Sequence, residues 1–351
     1  MYLEVDPHGD TLIILQNPPS HPSSPSDTVK ETASKNQFEH QFLVSKKHLM
    51  LASPRASKVF EGSFTEATPR EDGLFRWKFE PIFDPKAFET VMKIIHGQTR
   101  DVPTKIDLTL LAQITAIVDD LECHNTLWFF AKLWLNQIKD RIPSEFCEDL
   151  MRWILISFVF EEPELFKKAT TTAIEHGIDD IPTFNLPIRP RVLEDIEVKR
   201  EGIFSNLLTL LYHLEEQLLD KSIGCNKGCR AMMLGTLSQG LRAASLSPSP
   251  SPPYISLSIR PTLRQLTATE SLDYYCAEEG NPSQTNSGIW IIQKPPSSRK
   301  QSQSFWDQLA AENTPTKLVR HKCLLKDYLS ELLDTTESQI KGLELANYLG
   351  V

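Results

Sequence analysis

Four residues hold the strongest metal-binding chemistry in this chain: Cys225 and Cys229, one helical turn apart, and His321 and Cys323, a His-x-Cys pair much further along. Three thiolates and an imidazole suit a closed, structural zinc site, and ligands drawn from two distant segments would staple one onto the other. The spacing is not that of a standard finger, so the competing reading makes Cys225 and Cys229 small buried residues on consecutive turns. A second group, His48, His96, Cys123 and His124, invites a nucleophilic reading, because an imidazole can activate a nearby thiol. No orienting third group or oxyanion motif accompanies it. Glu161, Glu162 and Glu164 surround Pro163 and read as first-turn acids favoured by a helix dipole rather than as a pair of general acids.

These residues must be positioned by the elements around them. Residues 10–15 and 41–44 are short β-branched and leucine-rich runs, and 74–79 (LFRWKF) alternates as a strand does. Leu49, Ala52, Ser53, Ala56, Val59 and Phe60 fall near one helical face, with Pro54 at a turn or a helix start. Phe88, Val91, Met92 and Ile95 repeat at helical spacing, and that helix should stop at Gly97. Ile114, Ile117, Val118 and Leu121 make the next stripe, followed by Leu127, Phe130, Ala131, Trp134 and Ile138. Further helices are expected at about 144–160, at about 163–176 with Pro163 in its first turn, and along Leu207, Leu210, Leu211, Leu214 and Leu218. The prolines of PTFNLPIRPRV forbid continuous helix there. A short helix at 230–242 precedes SLSPSPSPPY, which reads as a polyproline-like linker, and 324–341 returns to helical spacing.

The order strands-then-helices makes the chain α+β and mostly helical. The layout expected is a first domain over 1–140 with a disordered insertion at about 17–38, where Pro and Ser abound and large apolar residues are almost absent. A helical extension over 141–242, a Pro/Ser-rich and low-complexity linker region over 243–310 and a C-terminal helical segment over 311–351 follow.

Composition narrows the function. A formal charge of −9 argues against a sequence-blind grip on DNA or RNA, which depends on cations neutralising phosphates. Arg189, Arg191, Lys199 and Arg200 are too sparse to reverse that. No apolar run reaches the ~20 residues that span a bilayer, and MYLEVDPHGD has neither a basic nor an apolar leader region. The expectation is an intracellular protein of the cytoplasm or nucleus, with its six cysteines reduced.

The segment FLVSKKHLMLASPRASKVFEGSFTEA (42–67) resembles the heart of the BTB/POZ family, through Val44, His48, Leu49, Ala52, Ser53, Pro54, Val59 and Phe60. DPKAFETVMKIIHG (84–97), the VP at 102–103 and VDDLECHNTLWFFAKLWL (118–135) resemble the variant common in filamentous fungi, and 152–174 is similar to the helical extension that follows it there. The resemblance implies a BTB/POZ fold, a helix cluster flanked by a small sheet, used for self-association and partner docking. The insertion between the first two strands departs from the family's tight hairpin. The short lead before Asp10 leaves little room for the N-terminal strand that some members swap between subunits.

Under that resemblance His48 starts a helix and His96 ends one beside Gly97, a structural account that competes with the catalytic one. Phe64-Thr65-Glu66 occupies the place where BTB proteins that bind cullin 3 carry an apolar residue, any residue, then Glu. Phe64 could fill a pocket on a partner helix with Glu66 at its rim. The competing reading is a hydrophobic cap beside a solvated glutamate. Phe130 and Trp134 belong to a core face, whereas Trp128 and Phe129 point elsewhere and are candidate partner contacts. The function expected is a non-catalytic protein-interaction adaptor, the alternatives being a cullin 3 substrate adaptor and a Cys/His-dependent enzyme. Protein partners and self-association are expected, without nucleic acid or membrane, and with structural zinc as the one cofactor considered.

Overall fold

The computed structural model describes residues 1–16, 39–178, 181–272, 275–277 and 318–349. The expected disordered insertion at 17–38 and the low-complexity residues at 278–310 lie outside them.

The sheet is built on one fully buried strand. Strand β2 (Thr11–Leu15) has no exposed residue, because it is flanked on both sides, antiparallel to β3 (His40–Val44) and parallel to β4 (Phe75–Phe79). A short β1 (Tyr2–Glu4) runs parallel to β3, giving the order β1-β3-β2-β4. The sequence reading had no strand there. Three residues carry little periodicity, and β1 is held by main-chain pairing to β3 and by the Gln41 amide donating to the Met1 carbonyl at 2.8 Å.

A parallel partner for β2 requires a crossover, and the helices α1 (Lys46–Ala52) and α2 (Pro54–Glu61) supply it. Ser53 separates them. Its hydroxyl accepts from the Ala56 amide at 3.0 Å, capping α2 one residue before the proline, and donates to the buried Leu121 carbonyl. Helix α3 (Pro85–Ile95) opens on the Asp84 cap and ends before Gly97, whose φ of +73° suits glycine. It packs on α4 (Leu108–Leu121), and α5 (His124–Ile138) covers both.

Helix α6 (Glu148–Val159) is apolar nearly all round, with Leu150, Met151, Trp153, Ile154, Leu155 and Ile156 buried. A helix of that kind needs cover on more than one face, and α6 has it from α4 on one side and α7 (Pro163–His176) on the other. The packing therefore runs without a break across residue 140, where the sequence reading placed a boundary. The chain divides instead into two compact units: Met1–Ile203 with Pro253–Arg260 and Gln339–Val351, and Phe204–Pro252 with Pro261–Ser338.

The last residues of the first unit lie on α7. Leu343 donates its amide to the Thr170 hydroxyl at 2.9 Å, and a Cβ on Gly342 would clash with the Lys167 carbonyl, so only glycine permits that approach. Helix α8 (Pro190–Leu219) starts at the last proline of PTFNLPIRPRV and is far longer than its leucine stripe suggested. The second unit adds α9 (Lys227–Ala243), α10 (Ile259–Thr267), α11 (Leu325–Gln339) and an antiparallel pair of strands, β5 (Tyr275–Ala277) and β6 (Leu318–Arg320). Helix α10 and this strand pair were not expected. No helix among the described residues is long and apolar enough to cross a membrane.

Candidate functional site

The structure brings the sequence-predicted residues together in two places. In the first unit, Phe64 stands at the start of a single 3-10 turn, Thr65–Ala67, between α2 and β4. Gly62 makes that position possible, since a Cβ there would meet the Phe64 ring at 2.9 Å. The ring remains 57% exposed, and Glu66 beside it is half-buried, its Oε2 accepting from the Thr65 hydroxyl at 3.1 Å.

Both residues line a groove of about 390 Å³ with Arg55, Trp77, Phe79 and the exposed Ile82. Arg55 lies over the Trp77 and Phe79 rings at 5.6 and 5.7 Å and pairs with Asp120. Burial holds its pKa below the usual guanidinium value, with Glu122 opposing. The groove thus joins an aromatic floor and a fixed cation to a mixed rim, in which Phe64 and Ile82 stand among the charged Glu66, Lys78 and Glu80. The alternation in LFRWKF placed Trp77 and Phe79 on one face of β4, but no local signal linked that face to Arg55 or Ile82.

Trp128 and Phe129 are 57% and 64% exposed on α5, while Leu127, Ala131 and Trp134 on the same helix are buried. Phe130, expected in the core, is half-buried; its ring lies 5.6 Å from Phe129 and 5.8 Å from Trp134, linking the two faces.

His96 has structural partners at both ring nitrogens. His96 donates from Nδ1 to the Met92 carbonyl at 2.8 Å and accepts at Nε2 from the Ser45 amide at 3.0 Å. Its ring lies 5.1 Å from that of His48, tilted by 50°. Burial pushes the Cys123 thiol up to about 12, so the thiolate that nucleophilic chemistry requires is scarce at neutral pH. Glu162 pairs with Lys132 at the start of α7, a structural use of that acid.

Burial, with His48 nearby, also pushes His96 below its ordinary 6.5, against the Met92 and Ser45 hydrogen bonds and Asp6. A depressed folded pKa means that the unfolded chain takes up this proton first as pH falls. The stability from neutral His96 is complete above 6.5 and is lost as pH drops from there through the folded value. Urea melts at about pH 7.5 and about pH 5.5 should therefore differ more for the native chain than for His96→Gln. An equal pH effect in both proteins would assign the loss to other groups.

In the second unit three of the four metal-ligand candidates converge. The ligating atoms of Cys225, Cys229 and His321 all lie within 4.8 Å of one another. Cys225 faces His321 Nδ1, and Cys323, two positions after His321, stands outside that group of three. Two local structures deliver them. Cys225 follows the left-handed Gly224 and precedes the cap of α9, and Cys229 sits in that helix's first turn; His321 and Cys323 come directly after β6. Asn226 serves both segments. Its Oδ1 accepts from the Cys229 amide at 2.9 Å, and its Nδ2 stands 3.2 Å from His321 Nε2. Desolvation pushes Cys225 and Cys323 above the usual thiol value, while the neighbouring thiols act in both directions.

Comparison of the chain with family models, with curated proteins and with solved structures finds no match in any of the three.

Proposed function

We propose that the chain is a non-catalytic protein-interaction adaptor whose first unit carries a BTB/POZ-like domain. The observation behind this reading is Phe64, a large apolar side chain held out over an aromatic groove with Glu66 at its edge. Exposed apolar residues clustered beside a partly apolar groove mark protein contacts more often than catalysis. After the short β1, the element order runs in the sense of the family-like blocks: β2 and β3, a helical crossover, β4, then helices. Against a Cys/His enzyme stand the His96 ring, bonded at both nitrogens to the main chain, and the high pKa of Cys123.

The test compares native chain and Phe64→Ala by affinity capture with mass spectrometry and by thermal melting. Truncating an interface anchor costs roughly 2 kcal/mol or more of binding, about a thirtyfold loss, so proteins captured by the native chain should drop away. The melting midpoint should stay the same, because Phe64 is exposed. Equal capture would defeat the role of Phe64, and a lowered midpoint would make it a packing residue.

The Phe64-Thr65-Glu66 pattern also favours cullin 3 as a specific partner. Titration of purified cullin 3 into the native chain and into Phe64→Ala decides it, the expected result being binding lost only in the variant.

A further inference from the structure

We propose that Cys225, Cys229, His321 and Cys323 form a closed, four-ligand zinc site that ties the segment after β6 to the start of α9. The proposal is independent of the docking surface on the first unit. Its support is geometric. Two segments of chain 96 positions apart at Cys225 and His321 place three ligating atoms within 4.8 Å, and a fourth candidate thiol, Cys323, follows two positions after His321. Small buried residues on consecutive turns would account for Cys229, which is fully buried, but not for Cys225, which is exposed and still faces His321.

The donor set selects the metal. Three soft thiolates and one imidazole suit zinc, whereas calcium and magnesium demand oxygen ligands. Four protein ligands leave no open position for water or substrate, so the site is structural. Binding replaces the proton on each of three thiols and leaves the imidazole neutral, so one proton per thiol is released and the bound site has a net charge of −1. Lys227 and Lys322, adjacent in sequence to the two ligand pairs, bear the opposite charge. Asn226, bonded to the main chain at Cys229 and standing at the far nitrogen of His321, holds the ring toward the thiols.

Such a metal would act on folding. The α9 start and the β6 end each place a ligand pair locally, but bringing the pairs together closes a long loop at an entropic cost that metal bonds offset. The leucines of α11, with Leu325, Leu329, Leu332 and Leu333 buried, secure the helix that follows.

The full chain, purified without chelator, should release one zinc ion on denaturation, as read by a chromogenic chelator. Cys225→Ser and Cys323→Ser should each hold less than about a tenth of that, while Cys147→Ser, at an exposed cysteine outside the cluster, should retain it in full. Should the ligand variants fail to fold, cobalt substitution of the native chain still answers. Tetrahedral thiolate coordination predicts an intense sulfur-to-cobalt charge-transfer band and strong visible d–d bands, with thiol alkylation blocked at three cysteines. A folded chain without metal, a cobalt spectrum lacking the thiolate band, a disulfide among these cysteines in place of metal, or full zinc content in Cys323→Ser would each overturn the four-ligand site.

Discussion

Replacing Trp134 with alanine should cost the first unit about 3–5 kcal/mol, enough to unfold or aggregate it in many conditions. The indole is 1% exposed, one member of a stripe with Leu127, Ala131 and Ile138 on α5. Its Nε1–H donates to the Pro103 carbonyl at 2.8 Å, fixing the loop that leads into α4. Alanine would therefore leave both a cavity and an acceptor without its donor, and the two losses share a sign. Trp128, one turn and a half earlier on the same helix, is the control. It is 57% exposed, so Trp128→Ala should shift stability by no more than about 0.5 kcal/mol. Thermal melts of the two variants followed by circular dichroism give the comparison. Equal losses would mean that the two faces of α5 are not distinguished as described.

That pair of residues also shows why much of the first unit was legible. Helices α3, α4 and α5 each bury one face against neighbours, so Phe88, Leu121 and Trp134 recur at helical spacing, and Gly97 and Pro163 mark an end and a start that the structure keeps. The signal fails where an element owes its place to partners distant in sequence. Strand β1 is too short to show a period, and among the described residues β5 and β6 pair only with each other. Helix α8 hid its first half because that half mixes charged residues with the buried Val192, Ile196 and Arg200.

Legibility of the sites followed the same rule. Cys225 and Cys229 were visible through their spacing, and His321 and Cys323 through theirs, but their meeting depends on a strand pair with no local signature. Phe64 and Glu66 were singled out from a short motif, while the groove beneath them combines α2, β4 and the end of α4 through Arg55, Trp77 and Asp120. Arg189, Lys199 and Arg200, read as scattered basic spots, act as braces instead. Arg189 pairs with Asp119 at 2.8 Å, and Lys199 donates to the Gly342 carbonyl at 3.1 Å.

Arg200 is the strongest of these braces, and Arg200→Ala should destabilise the first unit by about 3–5 kcal/mol, the range for breaking a buried charge pair. The guanidinium is 2% exposed and has three acceptors: Glu197 at 2.9 Å, the Pro253 carbonyl at 3.0 Å and the Leu257 carbonyl at 3.2 Å. Those carbonyls belong to the stretch that begins in SLSPSPSPPY, whose composition suggested a linker. There Tyr254, Leu257 and Ile259 are buried, and Tyr254 and Ser256 are left-handed, with φ of 56° and 62°. Left-handed conformations in residues other than glycine cost roughly 1 kcal/mol or more each, so the segment needs outside support, and Arg200 supplies it through a planar fork that reaches several acceptors at once. Alanine would remove that support and leave Glu197 charged beside a second oxygen, Oε1, that already has no hydrogen-bond partner among the described residues. Arg200→Lys should recover less than half of the loss, since a single ammonium cannot reproduce the fork. Amide exchange should show Leu257 losing protection in Arg200→Ala well before α6 does. Unchanged protection at Leu257, or a lysine variant as stable as the native chain, would show that this segment holds its course without the guanidinium.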